Sequence, residues 1–152
     1  SAAGYEHYEI SNFCKPGFHS RHNTSYWQGI PYLGCGPSAH SFDMHSREWN
    51  IPSLEKYIFA IEEKNRLYEK EELSLTTRYN EYIMTSLRTR RGIDLPTLIT
   101  CFGQELSDYC TSMAVPYLKS NKLEQQDNHL QLTRKGIFVS DGIISDLMFV
   151  EK

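Results

Sequence analysis

From residue 52 onward the apolar positions recur mainly at three- and four-residue intervals, which is the period of helices packed by one face. Leu54, Tyr57, Ile58 and Ile61 follow Pro52-Ser53 and predict an amphipathic helix to about Asn65. Tyr79, Tyr82, Ile83, Ser86 and Leu87 predict a second helix over residues 76–89, closed by Arg90-Arg91-Gly92. Asp94 is placed to cap a short helix reaching Ile99. Leu106, Tyr109, Cys110, Met113 and Tyr117 then predict a helix over 105–118, with Pro116 kinking or ending its last turn. Beyond it, Leu123-Glu124-Gln125 and Leu130-Gln131-Leu132 flank the turn-prone Asp127-Asn128 as a short hairpin, and a final helix spans 142–149. Helices followed by a small hairpin describe a winged-helix-like module.

The first part of the chain has a different pattern. Tyr5, His7 and Glu9 alternate with Glu6, Tyr8 and Ile10 as in a β-strand. The next strand-like stretch, Tyr32-Leu33-Gly34-Cys35, is too short to cover it, so either the sheet is small and irregular or, the favoured expectation, earlier strands lie outside this sequence. Between them lies His22-Asn23-Thr24-Ser25-Tyr26-Trp27, preceded by Pro16, Gly17 and Ser20 and followed by Gly29, Pro31 and Gly34-Cys35-Gly36-Pro37. These surroundings predict an ordered surface loop rather than a helix or central strand. An imidazole, a carboxamide, a phenol and an indole within six residues suit a flat aromatic ligand. Equally, Tyr26 and Trp27 can cap a local core while His22 faces solvent. Glu69-Lys70-Glu71-Glu72 is expected to be a solvated linker and marks a boundary between residues 1–68 and 69–152.

Composition narrows the class. Of 152 residues 39% are hydrophobic and 23% charged, with net charge −3, the profile of a globular chain. Eight of ten tyrosines and both tryptophans precede residue 83, so the two parts differ in kind. From Leu75 to the end nine Lys/Arg balance nine Asp/Glu, which argues against the clustered cations that nucleic-acid binding requires. Cys14, Cys35, Cys101 and Cys110 include no Cys-x-x-Cys and no zinc-finger spacing, and reduced thiols are expected. The absence of a long apolar run or signal peptide predicts a cytoplasmic protein.

Several motifs together resemble one family. Tyr8-Glu9-Ile10-Ser11-Asn12-Phe13, Lys15-Pro16-Gly17, the His22 to Trp27 segment, residues 32–41 and Arg47-Glu48-Trp49-Asn50 resemble the end of the radical-SAM barrel of HemW-type proteins, relatives of oxygen-independent coproporphyrinogen III oxidase. Asn80-Glu81, Leu87-Arg88, Gly92-Ile93-Asp94, Phe102-Gly103, Leu132-Thr133, Gly136 and Asp141-Gly142-Ile143 are similar to that family's HemN-type C-terminal domain. The resemblance implies an α+β chain: terminal strand, loop and helix segments of a radical-SAM α/β barrel, then a mainly helical winged-helix-like HemN C-terminal domain.

The family's His-Asn-x-x-Tyr-Trp motif implies heme binding at His22, Asn23, Tyr26 and Trp27, with His22 as a ligand to the heme iron. Its Gly-x-Gly-x-x-Ala-His segment, here Gly34, Gly36, Ala39 and His40, implies a wall of the S-adenosylmethionine site. The family's Cys-x-x-x-Cys-x-x-Cys, which holds a [4Fe-4S] cluster, does not occur in this sequence. The resemblance therefore covers the C-terminal part, with S-adenosylmethionine and cluster assigned to a longer protein and no radical chemistry expected of this chain alone. It implies a protein that binds heme or porphyrin and delivers heme to acceptor proteins, through transient contact with membrane proteins among them. The competing functions are an oxygen-independent coproporphyrinogen III oxidase, which decarboxylates propionates oxidatively, and a winged-helix docking or DNA-binding module.

Overall fold

A computed structural model describes residues 3–151. Helix and strand alternate in it, and no closed barrel forms among the described residues. The chain divides into two compact units, one made of the residues up to Gln28 together with those from Leu75 onward, the other spanning Gly29–Ser74. The charge-rich stretch near residue 69 thus lies just before the end of the smaller unit.

The larger unit is built on helix α3 (Leu75–Arg88), whose Tyr79, Ile83 and Leu87 recur at helical spacing and are fully or almost fully buried. They pack with Leu98, Leu106, Cys110 and Ala114 of α4 (Leu95–Lys119) and with Ile143, Ile144 and Leu147 of α6 (Ser140–Leu147). Asp94 caps α4 as expected, its carboxylate accepting from Thr97 N at 3.1 Å. The two helices read separately from the sequence are both present in α4, joined by a kink at Gly103, whose φ 85° and ψ 171° are not helical. Pro116 sits inside the last turn, and the helix persists to Lys119.

The hairpin is β7 (Leu123–Gln126) against β8 (His129–Leu132), turned at Asp127, where φ is 51°. A two-residue strand, β6 (Ile93–Asp94), joins it in the order β6-β8-β7. The pattern did not predict β6, because two residues carry no period. Tyr82 fixes it instead: its hydroxyl accepts from Asp94 N and donates to Asp94 O, both at 3.1 Å. The short α5 (Arg134–Ile137), capped by Thr133, was likewise too brief to read.

The opening strand has a partner within the chain. β1 (Glu6–Glu9) pairs antiparallel with β2 (Asn12–Cys14), a neighbour that the alternating pattern alone did not supply. Glu9 is buried at the turn, where one carboxylate oxygen accepts from Ser11 N at 3.0 Å and also from the Asn12 amide. The hairpin is stitched to the end of α3 by Ile10 N to Arg88 O at 2.9 Å and Arg90 N to Tyr8 O at 3.1 Å.

The smaller unit is a three-stranded antiparallel sheet, β3 (His40–Phe42), β4 (Ser46–Asn50) and β5 (Tyr68–Glu72), with helix α2 (Leu54–Glu62) between the last two strands. Glu69 to Glu72 therefore belong to an exposed edge strand rather than a linker. Its charged side chains suit an edge that must not recruit further strands. Between β3 and β4, Asp43 accepts from His45 N at 2.9 Å and from Ser46 N and Oγ at 2.6 and 2.9 Å. These bonds, the His45 amide first, hold its carboxyl down to about 2 from an ordinary 3.8. A lowered folded-state value means that the contribution to the turn is complete above 3.8 and is lost as pH falls through about 2. In an acid titration followed by NMR, the Ser46 amide is expected to shift with a midpoint near the lower value; a midpoint near 4 would contradict this geometry. No helix among the described residues is long and apolar enough to cross a membrane.

Candidate functional site

The six residues that stood out in the sequence form a helix, α1 (Arg21–Trp27), and not the predicted loop. Ser20 is the reason. Its backbone is extended, its hydroxyl accepts from Asn23 N at 3.3 Å, and its carbonyl accepts from Thr24 N at 2.9 Å, so the chain turns into a helix immediately after the Pro-Gly stretch. No Gly or Pro lies within the six residues to oppose it, and Gly29, at φ 62°, ends it.

A helix sorts the motif into two pairs, because residues four apart share a stripe. His22 and Tyr26 form one, with rings 4.9 Å apart, edge to face at 85°, and both side chains exposed. Asn23 and Trp27 form the other, about 100° round the axis and partly buried. The Arg88 guanidinium of α3 lies 5.5 Å from the centre of the Trp27 ring. Trp27 Nε1 and Arg88 Nε are both buried without a hydrogen-bond partner among the described residues. Trp27 thus packs locally, whereas His22 and Tyr26 face solvent.

Other histidines are committed elsewhere. His7 stacks on Phe13 with centroids 4.1 Å apart and bonds to Ile10 O at 3.0 Å; His19 meets Glu6 at 3.1 Å; His40 lies tilted against Trp49 at 5.9 Å. Cys14 is buried, and burial first, then the Glu6 carboxylate, pushes its thiol pKa up. That disfavours a free thiolate at Cys14, and His22 is the imidazole that stands beside an exposed aromatic ring.

The second group of sequence-selected residues, Gly34, Gly36, Ala39 and His40, lies in the smaller unit. A Cβ on Gly34 would stand 2.1 Å from His40 O, so glycine is required there by packing of backbone on backbone. Gly36 differs, for at φ 107° its missing Cβ would meet nothing within 4 Å, which leaves its backbone open to approach. The fully buried Asn50 holds this turn. Its amide donates to Gly34 O at 3.3 Å and Gly36 O at 2.8 Å, while Arg66 Nε donates to its carbonyl at 2.8 Å and Arg66 Nη1 to Glu48 at 2.8 Å. Ala39 N donates to Gly36 O at 3.2 Å and Ala39 O accepts from Asn50 N at 3.0 Å; His40 is exposed at the start of β3. Sequence reasoning missed Arg66 and Arg88, since neither lies in a motif that assigns it a partner and only the fold reveals the contact.

Residues 73–139 match the family model of the HemN C-terminal domain. The heme chaperone HemW of Mycobacterium tuberculosis is 29% identical over 149 residues, 97% of this chain and 36% of that protein. HemW of Bacillus subtilis is 29% identical over 143 residues, 93% of this chain and 38% of that protein. The mitochondrial radical S-adenosyl methionine domain-containing protein 1 of Mus musculus is 46% identical over 59 residues, 35% of this chain and 13% of that protein. In fold, the chain is similar to coproporphyrinogen III oxidase (HemN) from Escherichia coli, a radical SAM enzyme, with a TM-score of 0.67 and 17% identity over 97% of this chain and 38% of that one. The chain spans little more than a third of the length of the curated HemW relatives that it matches along most of its own length.

Proposed function

The chain belongs, as a C-terminal part, to the HemW-type, oxygen-independent coproporphyrinogen III oxidase-like family, and on that premise we propose that it holds heme on the outer face of α1 for delivery to acceptor proteins. His22 supplies the axial ligand to the iron, Tyr26 supplies aromatic surface beside it, and Asn23 and Trp27 fix the helix from its partly buried side. Heme here is cargo. The observation that carries the reading is the exposed His22–Tyr26 pair, four residues apart on a helix whose other stripe is anchored at Arg88. An imidazole so placed has one nitrogen open to iron, and neutral imidazole is a common heme ligand.

S-adenosylmethionine and a [4Fe-4S] cluster belong, on this proposal, to the longer protein, where together they supply reductive cleavage of the sulfonium. Gly34, Gly36, Ala39 and His40 would then contribute one wall of the S-adenosylmethionine site. The open backbone at Gly36 and the turn clamped by Asn50 fit that role.

Hemin titration of the full protein tests the proposal. His22→Ala is expected to shift the Soret band and weaken heme binding by about tenfold or more, equivalent to ~1.4 kcal/mol, while His45→Ala leaves both unchanged. An unchanged spectrum and affinity in His22→Ala would place the ligand elsewhere. Turnover of coproporphyrinogen III by the full protein would instead support an oxidase.

A further inference from the structure

The β1–β2 hairpin carries a second set of ligand atoms, apart from the heme motif. Glu6 and Cys14 are directly paired in the antiparallel register, so their side chains rise from the same face as close cross-strand neighbours. After Cys14 the chain turns at Lys15–Phe18, where Phe18 N donates to Lys15 O at 3.0 Å and Gly17 takes φ 80°, and this brings His19 back over that face. His19 Nε2 lies 3.1 Å from Glu6 Oε2. A carboxylate oxygen of Glu6, the Cys14 sulfur and a His19 ring nitrogen all lie within 4.8 Å of one another. Tyr8, on the same face, packs its ring at 4.9 Å against His19 and limits where the imidazole can swing.

From this geometry we infer that Glu6, Cys14 and His19 form a binding site for a borderline-soft divalent transition ion of the zinc class. One sulfur, one imidazole nitrogen and one carboxylate oxygen suit such an ion better than magnesium or calcium, which take oxygen donors. Around a tetrahedral zinc with bonds of ~2.0–2.3 Å, ligand atoms stand roughly 3.4–3.6 Å apart, so side-chain rotation alone brings these three into place. Cys14 lies at the buried floor, whereas Glu6 and His19 have side chains 38% and 48% exposed, which gives the ion a path in and leaves a fourth position to water. The cation also resolves the unfavourable placement of a thiol beside a carboxylate, since it takes the thiol as thiolate and neutralises both.

Cobalt(II) titration of the protein tests this, because cobalt replaces zinc and reports on its ligands. The expected result is one ion per chain, with a thiolate-to-cobalt charge-transfer band in the near ultraviolet and tetrahedral visible bands, all abolished by added zinc. The measurement uses a Cys35→Ser/Cys101→Ser background to remove the exposed thiols. In that background Cys14→Ser is expected to remove the charge-transfer band. His19→Ala, which alters an exposed side chain and spares the fold, is expected to weaken cobalt binding by about tenfold or more. No charge-transfer band in the parent, a band that survives Cys14→Ser, or unchanged affinity in His19→Ala would each overturn the assignment. The heme proposal is separable by its own readout: His22→Ala should leave the cobalt spectrum intact, and Cys14→Ser should leave the Soret band intact.

Discussion

Tyr79→Ala is expected to destabilise the larger unit by about 3–5 kcal/mol, a large share of the ~5–15 kcal/mol that holds a typical domain together. Tyr79 is completely buried in the first half of α3, edge to face with Phe102 at 5.8 Å, and its hydroxyl donates to Leu147 O at 2.9 Å at the end of α6. Alanine removes the ring, leaves a cavity between three helices and strands a buried carbonyl. Burial pushes the phenol pKa well up, so the hydroxyl remains a donor across the working pH range. Tyr79→Phe keeps the ring and loses only the hydrogen bond, at a cost of about 1–3 kcal/mol. Thermal unfolding followed by circular dichroism measures both; equal midpoints for Tyr79→Ala and the parent would show that the core does not depend on this residue.

Gly92→Ala is expected to cost about 2–5 kcal/mol through two separate penalties. At φ 73° the backbone is left-handed, which a side chain resists by ~1–2 kcal/mol, and the added Cβ would lie 2.2 Å from Leu130 O, an overlap worth a further ~1–3 kcal/mol. The oxygen belongs to the central strand of the sheet, so relief requires β8 to move away from β6. Gly29→Ala separates the two effects. Gly29, just past α1, has φ 62° and open space beside it, so it should show the left-handed backbone penalty alone. Urea denaturation of the two variants should rank Gly92→Ala clearly lower, with the Ile93 amide losing hydrogen-exchange protection; equal midpoints would mean that the sheet yields without cost.

Wherever the apolar period continued for several turns, the architecture was legible in the sequence. Tyr79, Ile83 and Leu87 announced α3, and Leu106, Cys110 and Met113 announced the second part of α4, because each pattern repeats against a single core. Short elements were not legible. β3, with His40, Ser41 and Phe42, and β6, with Ile93 and Asp94, owe their existence to partners distant in sequence rather than to their own pattern. Residues 22–27 fold as a helix against the expectation set by their Pro and Gly flanks because the single capping serine at position 20 starts one. The resemblance singled out His22, Asn23, Tyr26 and Trp27 as a motif. Their division into an exposed pair and an anchored pair follows only from the helix, and the anchor, Arg88, lies on another element altogether. The Glu6–Cys14–His19 cluster was hidden for a similar reason: its spacing has meaning only once Ile10-Ser11 is seen to turn a hairpin.

The bonds between Tyr8 and Arg90 and between Ile10 and Arg88 join segments about eighty residues apart, with the whole of the smaller unit threaded between them. Closing so long a loop is entropically expensive and is repaid only once both sides exist, so contacts of this kind form late in folding. On a ribosome the motif helix emerges early yet has nothing to dock against until α3 has been synthesised. The Trp27–Arg88 contact can therefore form only after α3 has been made, so the His22–Tyr26 face takes its final setting together with the helical core.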